Sequence, residues 1–205
     1  LTKDGERVSF ETFASYMKVL EDAGIEVYVA PGNHDISNPE SLGYDGNATV
    51  HVPNLSPSEF ATMFGPYGYD QALYRDPNSL SYVAEPVHDL WIISMDACKY
   101  NYAEDEHKEE TSGAFSDATL SWILSQLQEA QKRGRKVIGF MHHGILEHFT
   151  GQSTLAGLGD EYVVENWQTI SKQFADAGLN VVFTGHYHSQ DISSKTWDNG
   201  SKLFD

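Results

Sequence analysis

Short apolar runs alternate with longer amphipathic segments along the chain, and the two periods predict both strands and helices. In residues 8–23, apolar positions recur every three or four residues, and Gly24 follows as a helix stop. The next six residues, 25–30, are rich in β-branched and aromatic side chains and predict a strand. This segment is therefore a helix followed by a strand, the repeating unit of an α/β protein.

The same alternation continues towards the end of the chain. Ser56 begins a capping box with Pro57 at the first helical position, and Ser116 is a suitable cap for a long helix. Further elements are predicted as a hairpin of residues 79–84 and 90–95, a strand at 136–141, a helix marked by 167–174, a strand at 180–183 and a hairpin turn at 198–200. Two polar stretches without periodicity, 36–53 and 100–111, are predicted as loops, the second as an acidic solvated face.

Three of the predicted strands end in amide or imidazole side chains. These are Asn33-His34 after residues 25–30, His142-His143 after 136–141, and His186-Tyr187-His188 after 180–183. Ligands bind outside the carboxyl ends of strands in an open α/β sheet, so the three loops are expected to meet. Alternation along an extended segment would turn His186 and His188 to one side and Tyr187 away. Converging neutral imidazoles are natural ligands of a metal ion.

The motifs Gly32-Asn33-His34-Asp35, His142-His143 and Gly185-His186-Tyr187-His188 occur in a specific order. In this order they resemble the third, fourth and fifth motifs of the calcineurin-like metallophosphoesterases. The resemblance covers the chain from near Leu1 to about Ile192. It implies a layered α/β/β/α sandwich with mixed sheets, and it implies a metal-dependent hydrolase of phosphoric mono- or diesters.

The resemblance also implies roles for particular residues. Asn33, through its side-chain oxygen, would ligate one metal ion together with His142 and His186, and His188 would ligate a second. Two ions such as Mn, Fe or Zn would clamp the phosphate and hold a hydroxide for in-line attack on phosphorus. His34 would act as the general acid that protonates the leaving alkoxide.

Three further residues near these motifs have two interpretations each. Asp35 is the carboxylate nearest to His34 in sequence, but it is more simply a loop or capping residue. His143 is either an outer contact of the metal or substrate, or a strand-end polar residue. His148, in the glycine-rich loop that follows, either reaches the site or is structural or solvated.

The chain departs from the family pattern before Asn33, where neither an Asp-x-His strand end nor a Gly-Asp occurs. In the family these two motifs supply the carboxylates of the first metal and the carboxylate that bridges both. We therefore expect a fragment, incomplete at both ends, that binds at most one ion weakly and is weakly active or inactive. An exposed sheet edge and self-association through it are expected as well. The alternative function is a non-catalytic binding or scaffold module that retains the fold.

Composition sets limits on partners. The 205 residues, 40% of them hydrophobic, suffice for one core, and residues 1–205 are predicted to form a single domain. The formal charge of -17 argues against nonspecific binding to nucleic acid, and a bound phosphoester would need local positive charge such as metal ions supply. Cys98 is the only cysteine, so no internal disulfide forms. The sequence contains no signal or membrane segment, and it assigns no compartment and no particular substrate.

Overall fold

The computed structural model describes residues 1–2, 5–38, 41–100, 110–156 and 158–205. Within them, the helices are α1 (Arg7–Asp22), α2 (Pro57–Met63), α3 (Asp117–Lys132) and α4 (Trp167–Asp176). The strands are β1 (Leu42–Asp45), β2 (Ala48–His51), β3 (Tyr74–Arg75), β4 (Tyr82–Val87), β5 (Leu90–Met95), β6 (Lys136–Met141), β7 (Val182–Phe183), β8 (Ser194–Thr196) and β9 (Lys202–Phe204). No helix in these ranges is long and apolar enough to cross a membrane.

The main sheet is mixed, and its strands follow the order β3-β4-β5-β6-β7. The pairs β3·β4 and β4·β5 are antiparallel, whereas β5·β6 and β6·β7 are parallel. Because β6 pairs parallel with both neighbours, the carboxyl ends of β5, β6 and β7 lie at one edge of the sheet. That edge is where the sequence places the His142 and His186 motifs.

Helices cover both faces of this sheet. On β5, Trp91, Ile93 and Met95 point into a core shared with α3 and α4. On β4, Tyr82 and Ala84 point to the opposite face, into a second core shared with α1 and α2. Alternation of side chains along a strand explains why neighbouring residues enter different cores. The predicted layered mixed α/β fold is confirmed.

The helix starts follow the capping rules that their sequences suggest. Ser56 accepts a hydrogen bond from the backbone of Glu59, and the Glu59 carboxylate accepts one from the Ser56 backbone. At α3, the Ser116 hydroxyl accepts from Thr119 N at 3.1 Å. These bonds satisfy amide groups that have no partner within the helix. The predicted starts of α2 and α3 are therefore confirmed.

Two predictions of local structure are wrong. Residues 25–30 form no strand, because their backbone groups are bonded elsewhere: Val29 N donates to Tyr67 O at 3.1 Å, and the Tyr82 hydroxyl donates to Val29 O at 2.9 Å. The predicted loop at 36–53 contains the hairpin of β1 and β2. All four residues of β2 are exposed, so this strand buries no apolar face, and its four residues are too few for a clear period.

Two further predicted segments are the hairpin around residues 198–200 and the loop at residues 100–111. The predicted hairpin around residues 198–200 is confirmed as β8 and β9. Phe204 of β9 also donates its N–H to Asn180 O at 2.8 Å, which extends the sheet beyond β7. Of the predicted loop 100–111, residues 101–109 lie outside the described part of the chain. At its two ends, Tyr100 hydrogen-bonds to Asp96 and Thr111 to Glu161, while Glu110 is exposed.

Candidate metal centre

The ends of β6 and β7 and the loop at residues 31–35 meet at one cleft of about 570 Å³. Gly185 N donates to His142 O at 2.9 Å, and this bond holds the segment after β7 beside the end of β6. The cleft is lined by Leu1, Thr2, Gly32, Asn33, His34, Thr111, His142, Glu161, Tyr162, His186, Tyr187 and His188. The five residues predicted from sequence as metal ligands or general acid therefore all face the same space.

Asn33, His142 and His186 form the closest group in this cleft. His142 Nε2 donates a hydrogen bond to Asn33 Oδ1 at 2.7 Å, and the rings of His142 and His186 have centroids 4.6 Å apart. Asn33 is buried, and the two histidines are half-buried. An amide oxygen and two imidazoles at this separation form a donor set suited to a borderline divalent ion.

The imidazoles of this group are held in the neutral form. Burial lowers the pKa of His142 to about 2, and the neighbouring His143 and His186 rings add to the effect. Burial likewise lowers the pKa of His143 to about 4 and lowers the pKa of His186, which the Glu161 carboxylate opposes. A neutral imidazole has a free lone pair, so these rings are ready to ligate at neutral pH.

Two buried polar atoms of the group are unsatisfied. Asn33 Nδ2 and His186 Nε2 have no hydrogen-bond partner among the described residues. A buried polar nitrogen without a partner is unfavourable and calls for a ligand or ion that the protein chain does not itself supply. The amide oxygen, the imidazoles and the unpartnered His186 Nε2 fit a bound metal ion, whereas the Asn33 amide nitrogen is a hydrogen-bond donor and cannot ligate one.

His34 and His188 lie on the same cleft but in different environments. His34 is half-buried, and His188 is exposed. The backbone at His186 and His188 is left-handed, with φ of 70° and 53°. The prediction of an extended segment is therefore wrong, and Tyr187 does not point away but lines the cleft as well. A left-handed residue turns the chain, so alternation no longer decides which side each residue faces.

The structure places Asp35 and His143 behind the cleft. Asp35 is fully buried and accepts from Gly32 N and Thr2 N, each at 2.8 Å, so it fixes the loop that carries Asn33 and His34. His143 is also fully buried and donates from Nε2 to Thr111 O at 3.0 Å. Its ring packs against both His142 and His186, with centroids 5.1 Å away from each.

His148 is not on the cleft lining but contacts a residue that is. Its ring packs against Tyr187 with centroids 4.5 Å apart. His148 Nδ1 lies 3.0 Å from Asp191 Oδ2, and Nε2 lies 3.7 Å from Asp205 Oδ2. The Asp205 carboxylate raises the pKa of His148 and Asp191 adds to the effect, while burial opposes both.

Sequence reasoning missed five cleft residues outside the motifs, namely Leu1, Thr2, Thr111, Glu161 and Tyr162. Thr111 donates its hydroxyl to Glu161 at 2.8 Å, and the Tyr162 ring lies against His186 with centroids 4.6 Å apart. The segment that carries Glu161 and Tyr162 reaches the cleft because Gly144 N donates to Tyr162 O at 2.8 Å. No periodicity or motif marks these positions, so nothing in the sequence pointed to them.

A second group of potential ligands lies at the turn between β4 and β5. One ligand atom each of Glu85, His88 and Asp89 lie within 4.8 Å of one another. Arg135 forms ion pairs with both carboxylates, and the His88 side chain is 82% exposed. Carboxylates already paired with arginine have little need of a cation.

The profile of the calcineurin-like phosphoesterases matches residues 3–190. The chain belongs to this family. The crystal structure of a dimetal phosphatase from Danio rerio is similar, with a TM-score of 0.59, 13% sequence identity and 97% of this chain covered. The chain covers 66% of that structure, just under two thirds of its length, and at this identity the similarity shows the fold alone. No curated protein sequence matches the chain. Membership of the family implies divalent metal ions and phosphoester chemistry.

Proposed function

We propose that this chain carries the catalytic metal centre of a phosphoester hydrolase. The observation that carries the proposal is the approach of Asn33 Oδ1 to His142 Nε2, 2.7 Å apart, beside the His186 ring in an open cleft. The family supports phosphoester chemistry, and the neutral imidazoles support metal binding. We further propose that residues 1–205 form a single domain.

Asn33, His142 and His186 would hold one ion, and His188 would face a second. Mn, Fe and Zn all suit imidazole and amide-oxygen ligands. When bound, such an ion supplies Lewis-acid polarisation of the phosphoryl group and positive charge in the cleft. His188 is exposed on the cleft, so an ion beside it would be held less firmly than an ion at Asn33, His142 and His186.

His34 would serve as the proton donor to the leaving oxygen. It lines the cleft next to Asn33, and its half-buried ring is open to a bound ester. A protonated imidazole carries an N–H that can be transferred to a leaving alkoxide. Asp35 supports this role indirectly, because its hydrogen bond with Gly32 N fixes the turn that carries His34.

Metal content of the purified chain, measured by mass spectrometry, tests the centre. Mn, Fe or Zn should be present in the wild type and fall strongly in His142→Ala. The matched control is His88→Ala, which removes an exposed histidine from the group at the β4–β5 turn. Metal that is lost in His88→Ala and retained in His142→Ala would contradict the proposal and assign the ion to the surface group.

Hydrolysis assays with two classes of ester test the role of His34. A proton donor matters more for a poor leaving group, so His34→Gln should slow an alkyl phosphate ester far more than a nitrophenyl ester. Equal losses on both esters would contradict the role of proton donor. Activity on both esters that survives His142→Ala and removal of metal would contradict the proposed function as a whole.

A further inference from the structure

The two histidines of the last motif adopt a backbone conformation that they do not favour on their own. His186 has φ of 70° and His188 has φ of 53°. Residues other than glycine are uncommon in this region, because their Cβ atom crowds the backbone. Such conformations persist only where the surrounding structure imposes them, so a neighbouring group must hold this turn.

Tyr187 lies between these histidines and is held on three sides. One face of its ring stacks on Tyr162, with centroids 5.1 Å apart and an interplanar angle of 25°. The His148 ring packs against it at 4.5 Å. The hydroxyl accepts a hydrogen bond from Gln152 Nε2. Tyr187 N also donates to Gly185 O at 2.8 Å, which closes the turn on the backbone side.

The partner Gln152 is itself rigidly placed. Its side chain is fully buried, its Oε1 accepts from His148 N at 2.9 Å, and its Nε2 donates to Gly159 O at 3.2 Å as well as to Tyr187. A buried amide with all these partners has one orientation. The loop after β6 therefore holds the Tyr187 side chain in a fixed position through Gln152.

The contacts continue from Tyr187 to the cleft. Tyr162 stacks on Tyr187 and also packs against the His186 ring, with centroids 4.6 Å apart. His148, Tyr187, Tyr162 and His186 thus form one continuous row of four rings. Movement of Tyr187 would be transmitted to His186 through both the backbone turn and Tyr162.

We propose that Tyr187 is a positioning residue, which holds His186 and His188 in their left-handed turn and thereby aims them into the cleft. Gln152 and Tyr162 are its supports. The inference rests on the proposed function only in that the two histidines are taken as metal ligands. The positioning itself is a property of the metal-free chain and is measurable there.

The first test is NMR of the metal-free chain at about pH 8, where an unperturbed imidazole is neutral. The His186 ring protons, assigned by their loss in His186→Gln, should be displaced upfield by the Tyr162 ring. Tyr187→Leu keeps apolar volume but removes the stack, and it should abolish the displacement or broaden the signals. Tyr187→Phe keeps the stack and should preserve the upfield displacement of the His186 ring protons. Tyr44→Ala, a tyrosine 75% exposed on β1, is the control.

The second test is the affinity for Mn²⁺, measured by calorimetry. Loss of a group that orients metal ligands lowers affinity by about 10- to 100-fold, so Tyr187→Leu should fall in this range. Tyr187→Phe should rescue most of the affinity, whereas a generally destabilised chain would show no such difference. If Tyr187→Leu does not fold, Tyr162→Leu breaks the contact between Tyr187 and His186 and should lower the Mn²⁺ affinity in the same range. The His186 shift is not compared for this variant, because the Tyr162 ring is the source of that shift.

The outcomes separate this inference from the proposed function. Tyr187→Leu with an unchanged His186 spectrum, or either Tyr187→Leu or Tyr162→Leu with an unchanged Mn²⁺ affinity, would overturn the positioning role while leaving the metal centre intact. A wild-type chain that binds no Mn²⁺ would count against the proposed function. In that case the NMR comparison alone decides the positioning role, because it needs no metal.

Discussion

Gly113 offers a direct way to disturb the histidine cluster from outside the cleft. A Cβ atom at this position would lie 2.5 Å from His143 Cγ and 2.8 Å from His143 Nδ1. Two hydrogen bonds hold the backbone at Gly113 in place: Gly113 O accepts from Glu165 N at 2.8 Å, and Ala114 N donates to Ala97 O at 2.9 Å. In Gly113→Ala, the His143 ring must therefore move towards His142 and His186.

The cost follows from the contacts that this movement disrupts. Forcing one extra methyl group into a packed site costs about 1–3 kcal/mol. Displacement of the His143 ring also weakens its 3.0 Å hydrogen bond to Thr111 O, which is worth about 1 kcal/mol. We therefore expect Gly113→Ala to lower the free energy of unfolding by about 2–4 kcal/mol, a fall in Tm of roughly 5–15 °C for a chain of this size.

Urea and thermal unfolding measure this cost, and Gly185→Ala is the matched control. A Cβ at Gly185 would meet its nearest atom, His142 Nδ1, at 3.6 Å, an ordinary contact, so that variant should be close to wild type. In a His143→Ala background, Gly113→Ala should cost almost nothing, because the clashing ring is gone. The reasoning is refuted if Gly113→Ala is harmless, or if its cost persists without the His143 ring.

Three further predictions concern the fold around the site. The carboxylates of Asp205 and Asp191 raise the pKa of His148. Its ion pairs therefore stabilise the folded chain fully below the pKa of the unfolded state, and this stabilisation is lost as the pH rises through the raised pKa of the folded state. Asp191→Asn should lower the pKa of His148 in an NMR titration. Ser56→Ala should cost about 1 kcal/mol in urea unfolding through loss of the α2 cap, whereas a variant of equal stability would refute the capping assignment. Residues 1–205 should unfold in one cooperative calorimetric transition, and two separate transitions would contradict the single domain.

Local sequence signals were sufficient for the helix starts and for β6 and β7, two of the three elements predicted to carry the motifs. Ser56 and Ser116 cap helices because short hydroxyl side chains can accept from backbone amides two or three residues ahead. The apolar run at 136–141 forms β6, and its parallel partner β7 brings His142 and His186 together. The gathering of these histidines followed from a general property of parallel sheets, namely that their carboxyl ends share an edge.

The features that local signals missed depend on contacts distant in sequence. Residues 25–30 have a strand composition, yet Val29 bonds to Tyr67 and Tyr82 instead of to a strand. Tyr162 reaches His186 through the fold of a loop that has no periodicity. The left-handed backbone at His186, with φ of 70°, is uncommon for a residue other than glycine, and no pattern in the sequence indicates it.

The charges around the cleft indicate how a phosphoester would be bound. The chain has a formal charge of -17, and the imidazoles of His142 and His186 have lowered pKa values and are neutral at physiological pH. Among the described residues that line the cleft, no lysine or arginine occurs, and the amino group of Leu1 pairs with Asp35 at 2.8 Å. Glu161 adds a carboxylate. An anionic ester would thus meet a cleft without net positive charge, so the ions that belong to this family would have to provide the attraction for substrate as well as the chemistry.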